Sequence, residues 1–465
     1  MTRLSATTLP HPLAYDRAAI TIGIVHFGPG AFFRAHQAAY IDDLLARDPR
    51  WAISAVALKT QGVRDALAPQ GGLYTLVELG KVTRFRTIGA IRELLVASED
   101  HERVAARLTS ADTRLVTLTV TEKGYCLKAD GALDLDHPDI RHDLAEPGRP
   151  VSVIGWLALG LARRRGAGLP PFTVLSCDNL PGNGRKLKAA VVQLAEARDP
   201  GLAHWIEALA RFPCSMVDSI TPATDDALRD RVLAETGLED AWPIQRETFS
   251  QWVIEDDLGP DAPDLASVGV TLTSGVEAWE KAKLRLLNGA HSTLAYVGLL
   301  RGHETVREVM ADVELATFVR AMMTKDIAPT LHAPAGLNIP AYVEALLDRF
   351  RNPAIDHRLS QIAWDGSQKL PIRILSTVTD ALAAGRPIDR LAVPVAAWMR
   401  FVVRQAKAGA AITDPMAARL SQVGRSATGP EAFLALEAMF PAELAAGVRF
   451  SDAVATAWAQ SPDLP

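Results

Sequence analysis

Three side chains in the stretch KLRLLNGAHS, Lys283 to Ser292, could together move a proton and steady charge on an oxygen: the amine of Lys283, the amide of Asn288 and the imidazole of His291. Interconversion of a secondary alcohol and its ketone needs such a set, a base for the hydroxyl proton and donors for the developing alkoxide. The same stretch carries the apolar ladder of an amphipathic helix. At about 100° per residue, Asn288 stands about 140° and His291 about 80° around the axis from Lys283, over an axial span of about 12 Å. All three then fall on one flank. Each also has an ordinary use, as a solvated lysine, an amide at a kink before Gly289 and a hydrogen-bonded core histidine. The rest of the chain has to decide.

The elements that would position these groups differ in texture between the two parts of the chain. From about residue 20 to 275, short apolar strands alternate with helical stretches: ITIGIVHFG, then the helix AFFRAHQAAYIDDLLARD, the strand WAISAVALK, the helix HERVAARLTS and the strand RLVTLTVTEKGY. The helix VSVIGWLALGLARRRG, the strand FTVLSCDN and the helix GRKLKAAVVQLAEARD follow. Such alternation predicts a mostly parallel sheet covered by helices on both faces. Beyond VGVTLTSGVEAWEKAK the chain becomes rich in Ala and Leu at helical spacing, with Pro and Gly at turns, which predicts a mostly helical second domain. The reading is an α/β domain over residues 1–275 followed by a mostly α-helical domain over 276–465.

Gly28 and Gly30 fall directly after the first strand, in IVHFGPGAFFRAH. Glycines there permit a tight turn and let a pyrophosphate approach the helix N-terminus, here Ala31 and Phe32, where unpaired N–H groups favour negative charge. The third glycine of the generic dinucleotide fingerprint is replaced by Phe33, so an ordinary strand-to-helix turn stays open as a reading. After the second strand, ALKTQGVRD has Lys59 and Arg64 and no acid directly at the strand end. An acid there would hold the ribose hydroxyl of NAD, whereas a cation could pair with the extra phosphate of NADP. Other strands end in polar residues: Thr121, Glu122 and Lys123; Asp178 and Asn179; and Asp218 in FPCSMVDSITPAT. One such residue is an N-cap or turn former, but several at one sheet edge, where ligands of this architecture bind, suggest a site.

Composition narrows the partners. With 48% hydrophobic and 22% charged residues, the chain has the mix of a soluble globular protein. Its net charge of −5 and lack of a long basic block argue against nucleic acid. The one basic cluster, Arg163 to Arg165, reads as the last turn of a helix before a loop. Cys126, Cys177 and Cys214 are widely spaced without a CxxC pair, as expected of inert thiols in a reducing compartment. No run is apolar enough to span a bilayer, so a cytoplasmic location is expected. A catalytic zinc would need three ligands at workable spacing, and no compact His/Cys set is present; His26 and His36 flank the glycine turn and are explained by it.

The segments HFGPGAFFRAH, TVTEKGY, SCDNLPGNG, SMVDSITPAT, QWVIEDDL, KLRLLNGAHS and DGSQKLP resemble, in order and approximate spacing, motifs of the long-chain polyol dehydrogenases of the mannitol dehydrogenase family. The resemblance runs from about residue 14 into the 450s. It implies a Rossmann-type N-terminal domain, a helical C-terminal domain, a nicotinamide cofactor, no catalytic metal and a chain that is monomeric or weakly oligomeric. By motif it implies that Lys283 is the general base, that Asn179 and Asn288 polarise the substrate oxygen, and that His291 orients the substrate. Asp218 and Lys369 become contacts to the sugar chain; Gly28, Gly30, Ala31, Phe32, Lys59, Thr121, Glu122 and Lys123 are placed at the cofactor. A lysine in water has a pKa of about 10.4, and burial would bring it down towards neutrality. The resemblance favours NAD, while Lys59 allows NADP.

Substrate is less sharply drawn. QIAWDGSQKLPIRIL is similar to the sugar-acid branch of the family, with Gln361 where mannitol enzymes tend to have arginine, and Arg373 is available to pair with a substrate carboxylate. ITPAT is nearer the mannitol branch, and Ser219 stands where an arginine is usual. The leaning is towards mannonate and fructuronate, with mannitol and fructose next. A nicotinamide- or sugar-binding protein without turnover is the alternative class.

Overall fold

The computed structural model describes residues 2–334 and 336–460. The chain divides into two compact units, one running to Glu277 and the other beginning at Ala278.

Five segments of four to six residues in the N-terminal unit form one parallel sheet: β1 (Ile22–Phe27), β2 (Ala52–Ala57), β3 (Ile91–Val96), β4 (Leu115–Leu118) and β5 (Thr173–Ser176). Their spatial order is β3-β2-β1-β4-β5. β1, β2, β4 and β5 are buried along nearly their whole length because both faces are covered, whereas the edge strand β3 carries the exposed Arg92 and the part-buried Glu93. Val25, Phe27, Val116, Leu118 and Val174 enter one core with the helices His101–Thr109, Val153–Gly166 and Asn183–Glu196. Ile24, Ile53, Leu115 and Leu175 enter the opposite core with the helix Gln37–Leu45. This is a Rossmann-type sheet, and its order reverses between β1 and β4. Ligands of such sheets bind in the crevice outside the strand ends at that reversal.

Outside the parallel sheet, three strands form a small sheet of their own. β6 (Ser215–Asp218) pairs antiparallel with β7 (Gln251–Glu255), which pairs parallel with β8 (Thr271–Thr273). Two sequence expectations are corrected. The helix expected from Ala31 to Asp48 is two helices, Ala31–Ala35 and Gln37–Leu45. They are divided at His36, whose backbone leaves the helical region while its Nε2 meets the Gln251 carbonyl at 2.9 Å. The strand expected to continue through Tyr125 stops at Leu118, because the N–H groups of Val120 and Thr121 donate to the Asp178 carboxylate at 3.1 and 2.8 Å instead of to a neighbouring strand.

Arg163–Arg165 does form the last turn of its helix. Arg164 within it is 1% exposed and donates to the carbonyls of Leu108, Ser110, Thr113 and Pro170, so it closes a loop onto the helix end. All three cysteines are free and buried. Burial raises each thiol above its ordinary value, Cys126 to about 11, which leaves them poor nucleophiles.

The C-terminal unit is helical. A continuous helix changes register along its length: α over Val276–Ala282, π over Lys283–Asn288 and α again over Gly289–Arg301. Two further π segments occur at Met322–Ile327 and Pro371–Leu375, and both pack against Lys283–Asn288. The long helix Asp389–Lys407 packs on Gly289–Arg301, and Ala417–Ser426 and Val448–Gln460 pack on it in turn. Among the described residues no helix is long and apolar enough to cross a membrane.

Candidate active site

In the N-terminal unit the glycine turn follows β1. Gly28 has φ +91°, and a Cβ there would lie 2.2 Å from the Thr119 carbonyl oxygen, so only glycine fits between β1 and the segment after β4. Gly30 is different: a Cβ there would meet nothing closer than the Gly28 carbonyl at 3.9 Å, so its small size keeps space open. The N–H groups of Ala31, Phe32 and Phe33 have no acceptor among the described residues. An open approach to unpaired N–H groups suits a phosphate.

Phe33, which occupies the fingerprint's third glycine position, stacks on the His26 ring at 3.5 Å and 9°. His26 is fully buried; its Nδ1 lies 2.7 Å from Thr117 Oγ1 and its Nε2 3.0 Å from Thr119 Oγ1. The fingerprint departs from its generic form because an aromatic stack replaces direct helix-to-strand contact. Gly28→Ala is expected to lower the unfolding free energy by roughly 1–3 kcal/mol through its left-handed backbone alone, with more from displacing Thr119. Urea denaturation measures it, and an unchanged midpoint would show the turn to be slack.

At the end of β2, Lys59 Nζ lies 3.1 Å from Asp139 Oδ2, and Arg64 is shared between Asp65 and Glu99. The positive charge that invited a second phosphate is therefore locally balanced. Beyond β4, Thr121 has φ +67°, and Glu122 and Lys123 are exposed in the short turn Glu122–Tyr125. Asp178, a candidate from its place at the strand end, is structural: it accepts from Val120, Thr121 and the Tyr125 hydroxyl, and burial raises its pKa. The neighbouring Asn179 is exposed in the bend after β5. Asp218 ends β6, opposite Gln251, and is 5% exposed; Ser219 beside it donates to the Phe249 carbonyl.

The C-terminal unit gathers the remaining candidates. Lys283 is 9% exposed and opens the π segment, and Asn288 closes it. This corrects the α-helical geometry: with i→i+5 bonding, as in Gly289 N–H to the Leu284 carbonyl, residues five apart lie roughly one turn apart instead of about 140° around the axis. The register thus brings Lys283 and Asn288 towards the same side. Gly289 makes the close approach behind them, where a Cβ would lie 3.1 Å from the Arg373 carbonyl oxygen. Lys281 and Arg285, the other cations of the segment, both meet Asp380, at 2.9 and 2.8 Å.

The Asn288 amide is half-buried and has no side-chain partner among the described residues. Arg373 donates to Ser292 Oγ at 3.2 Å and has no carboxylate within ion-pair reach among the described residues. Burial lowers its pKa. Lys369 is lowered by burial and then by the charge of Arg373, with Asp365 3.9 Å away as a weak counterion. His291 is 8% exposed, and burial, then His357, Arg349 and Arg373, hold its pKa well below the ordinary value. His357 went unnoticed in the sequence because NPAIDHRLS has no motif to mark it.

Buried neutral histidines have a consequence for stability. His26, at about 3, and His291 both refuse a proton in the fold. Above about 6.5 neither folded nor unfolded chain binds it and the contribution is complete; below, the unfolded chain alone is protonated. Between pH 6.5 and 5.5 the pair is expected to lower unfolding free energy by roughly 2 kcal/mol. Denaturation curves at the two pH values test this, and an equal midpoint at both would mean that the fold accepts those protons.

Models of the mannitol dehydrogenase Rossmann domain and the mannitol dehydrogenase C-terminal domain match residues 22–266 and 275–461. The chain is 41% identical to the D-mannonate oxidoreductase of Escherichia coli (strain K12) over 459 residues, covering 96% of this chain and 94% of that protein. It is 38% identical to a mannitol 2-dehydrogenase of Phaeosphaeria nodorum, over 97% of this chain and 80% of that one. The solved Pseudomonas fluorescens mannitol 2-dehydrogenase, a ternary complex with NAD and D-mannitol, matches with a TM-score of 0.83 at 36% identity, covering 99% of this chain and 97% of the other.

Proposed function

Given that this chain belongs to the mannitol dehydrogenase family and is a dehydrogenase acting on CH–OH groups, we propose that it interconverts a linear sugar acid, D-mannonate, with its ketone D-fructuronate, using NAD. NAD, when bound, supplies the hydride acceptor. The open turn at Gly30, with the unpaired N–H groups of Ala31 and Phe32, fits its pyrophosphate. Balanced charge around Lys59 and Arg64 favours NAD over NADP.

Lys283 Nζ takes the hydroxyl proton, from a position shielded from bulk water. Asn288 donates to the oxygen as it gains charge, the role that its motif also gives Asn179. His291 orients the substrate, and Asp218 accepts from a hydroxyl along the sugar chain. Thr121, Glu122 and Lys123 border the cofactor.

The observation that carries the choice of a sugar acid is Arg373. A half-buried guanidinium with a serine and, among the described residues, no carboxylate for company, beside Lys369, calls for an anion. Arg373→Gln is expected to lower kcat/KM for mannonate by about 10- to 150-fold, the value of a hydrogen bond to a charged group, while changing mannitol oxidation little. Initial rates for mannonate, altronate, mannitol, arabinitol and sorbitol with NAD and NADP check both parts. Faster turnover of mannitol than of mannonate by the wild type would replace the sugar-acid reading with a mannitol/fructose one.

A further inference from the structure

Two buried imidazole nitrogens in the C-terminal unit have nothing to bond. His291 Nε2 and His357 Nδ1 are both shielded from solvent and neither has a hydrogen-bond partner among the described residues. Their rings meet edge-on at 5.1 Å between centroids and 82° between planes. An unsatisfied buried polar atom is destabilising by about 1–3 kcal/mol, so two in neighbouring rings point to a shared partner. With no direct bond between them, a single water is the group that could serve both nitrogens.

The surroundings restrict what else could serve them. Phe350 packs on His291 from another side, with ring centroids 4.8 Å apart, and offers no acceptor. The charged groups acting on His291 are Arg349 and Arg373, both cations, which keep its ring neutral; His357 is also held neutral, by burial. Neutral imidazole has one donor nitrogen and one acceptor. Whichever nitrogen of His291 turns to His357 fixes what the other presents. If Nε2 carries the proton and donates to that water, Nδ1 of His291 is left as an acceptor for a substrate hydroxyl; the reverse makes it a donor.

We propose that His357 is a positioning residue: it hydrogen-bonds His291 Nε2 through one water, and so locks His291 in a single tautomer for the substrate. The step to catalysis rests on the reading of His291 given above, whereas the coupling between the two rings does not.

The test separates these two. In the full-length protein labelled with 15N-histidine, wild-type His291 should show the shifts of one neutral tautomer, identified by their loss in His291→Asn. In His357→Phe, which keeps a ring but removes the nitrogen, the His291 signals should move towards a tautomer mixture. His357→Asn, whose amide can replace Nδ1, should restore the single form. Unchanged His291 shifts in His357→Phe would overturn the proposal, as would equal disturbance in the Phe and Asn variants, which would reduce His357 to a packing role. Kinetics read the functional half: kcat/KM should fall about tenfold in His357→Phe and recover in His357→Asn at equal melting temperature. A tautomer shift with unaltered kcat/KM would keep the coupling and remove His291 from the reaction.

Discussion

Lys283→Ala is expected to lower kcat by about 10²- to 10⁴-fold, the usual contribution of a positioned general base. Far-UV circular dichroism and the affinity for NADH should stay near wild type, since the helix is held by its packed neighbours. The base reading and a mere need for positive charge can be told apart. Lys283→Arg keeps the charge but cannot release a proton near neutral pH, so it should be as impaired as the alanine variant. Absorbance at 340 nm under saturating cofactor gives the rates. Should either variant turn over at the wild-type rate, the proton must leave by another group and the role of Lys283 falls.

Asn288→Ala is the second large effect, about 10²- to 10³-fold in kcat, as for loss of one donor to a developing oxyanion. The amide has no side-chain partner among the described residues, so its removal breaks no bond in the fold and the melting temperature should hardly change. Activity and stability thus come apart, which a structural asparagine at a helix kink would not allow. Asn288→Asp sharpens the test: it is nearly isosteric but sets a negative charge against the alkoxide, and should be at least as slow as the alanine variant. A normal kcat in Asn288→Ala with lowered stability would return Asn288 to the role of a kink former.

Much of the scaffold was readable before any coordinates. The apolar runs behind β1, β2, β4 and β5 announce a sheet buried on both faces, while β3, with Arg92 and Glu93 within it, went unread; Gly28 announces the turn that a carbonyl 2.2 Å from any Cβ makes obligatory. The strand ends were harder. Asp178 and Asn179 are adjacent in sequence and equally polar, yet the Asp178 carboxylate is consumed by two backbone N–H groups and Tyr125, partners some 50 positions away. Local spacing has no access to such partners. Lys59 is a similar case, since its counterion Asp139 lies far along the chain.

Sequence alone determined which chemistry was available, because the identity and order of Lys283, Asn288, His291, Lys369 and Arg373 are written in it, as are the glycines that permit close approach. Tertiary packing decided how those groups are presented. The change from α to π register at Lys283 comes where that segment meets two other π segments and Gly289 approaches the Arg373 carbonyl; no residue in KLRLLN compels it. The packing of the His291 ring on His357, and the absence of an acid beside Arg373 among the described residues, likewise follow from contacts across dozens of residues. Side-chain type is a local property of the chain, whereas hydrogen-bond register and counterion supply belong to the packed whole.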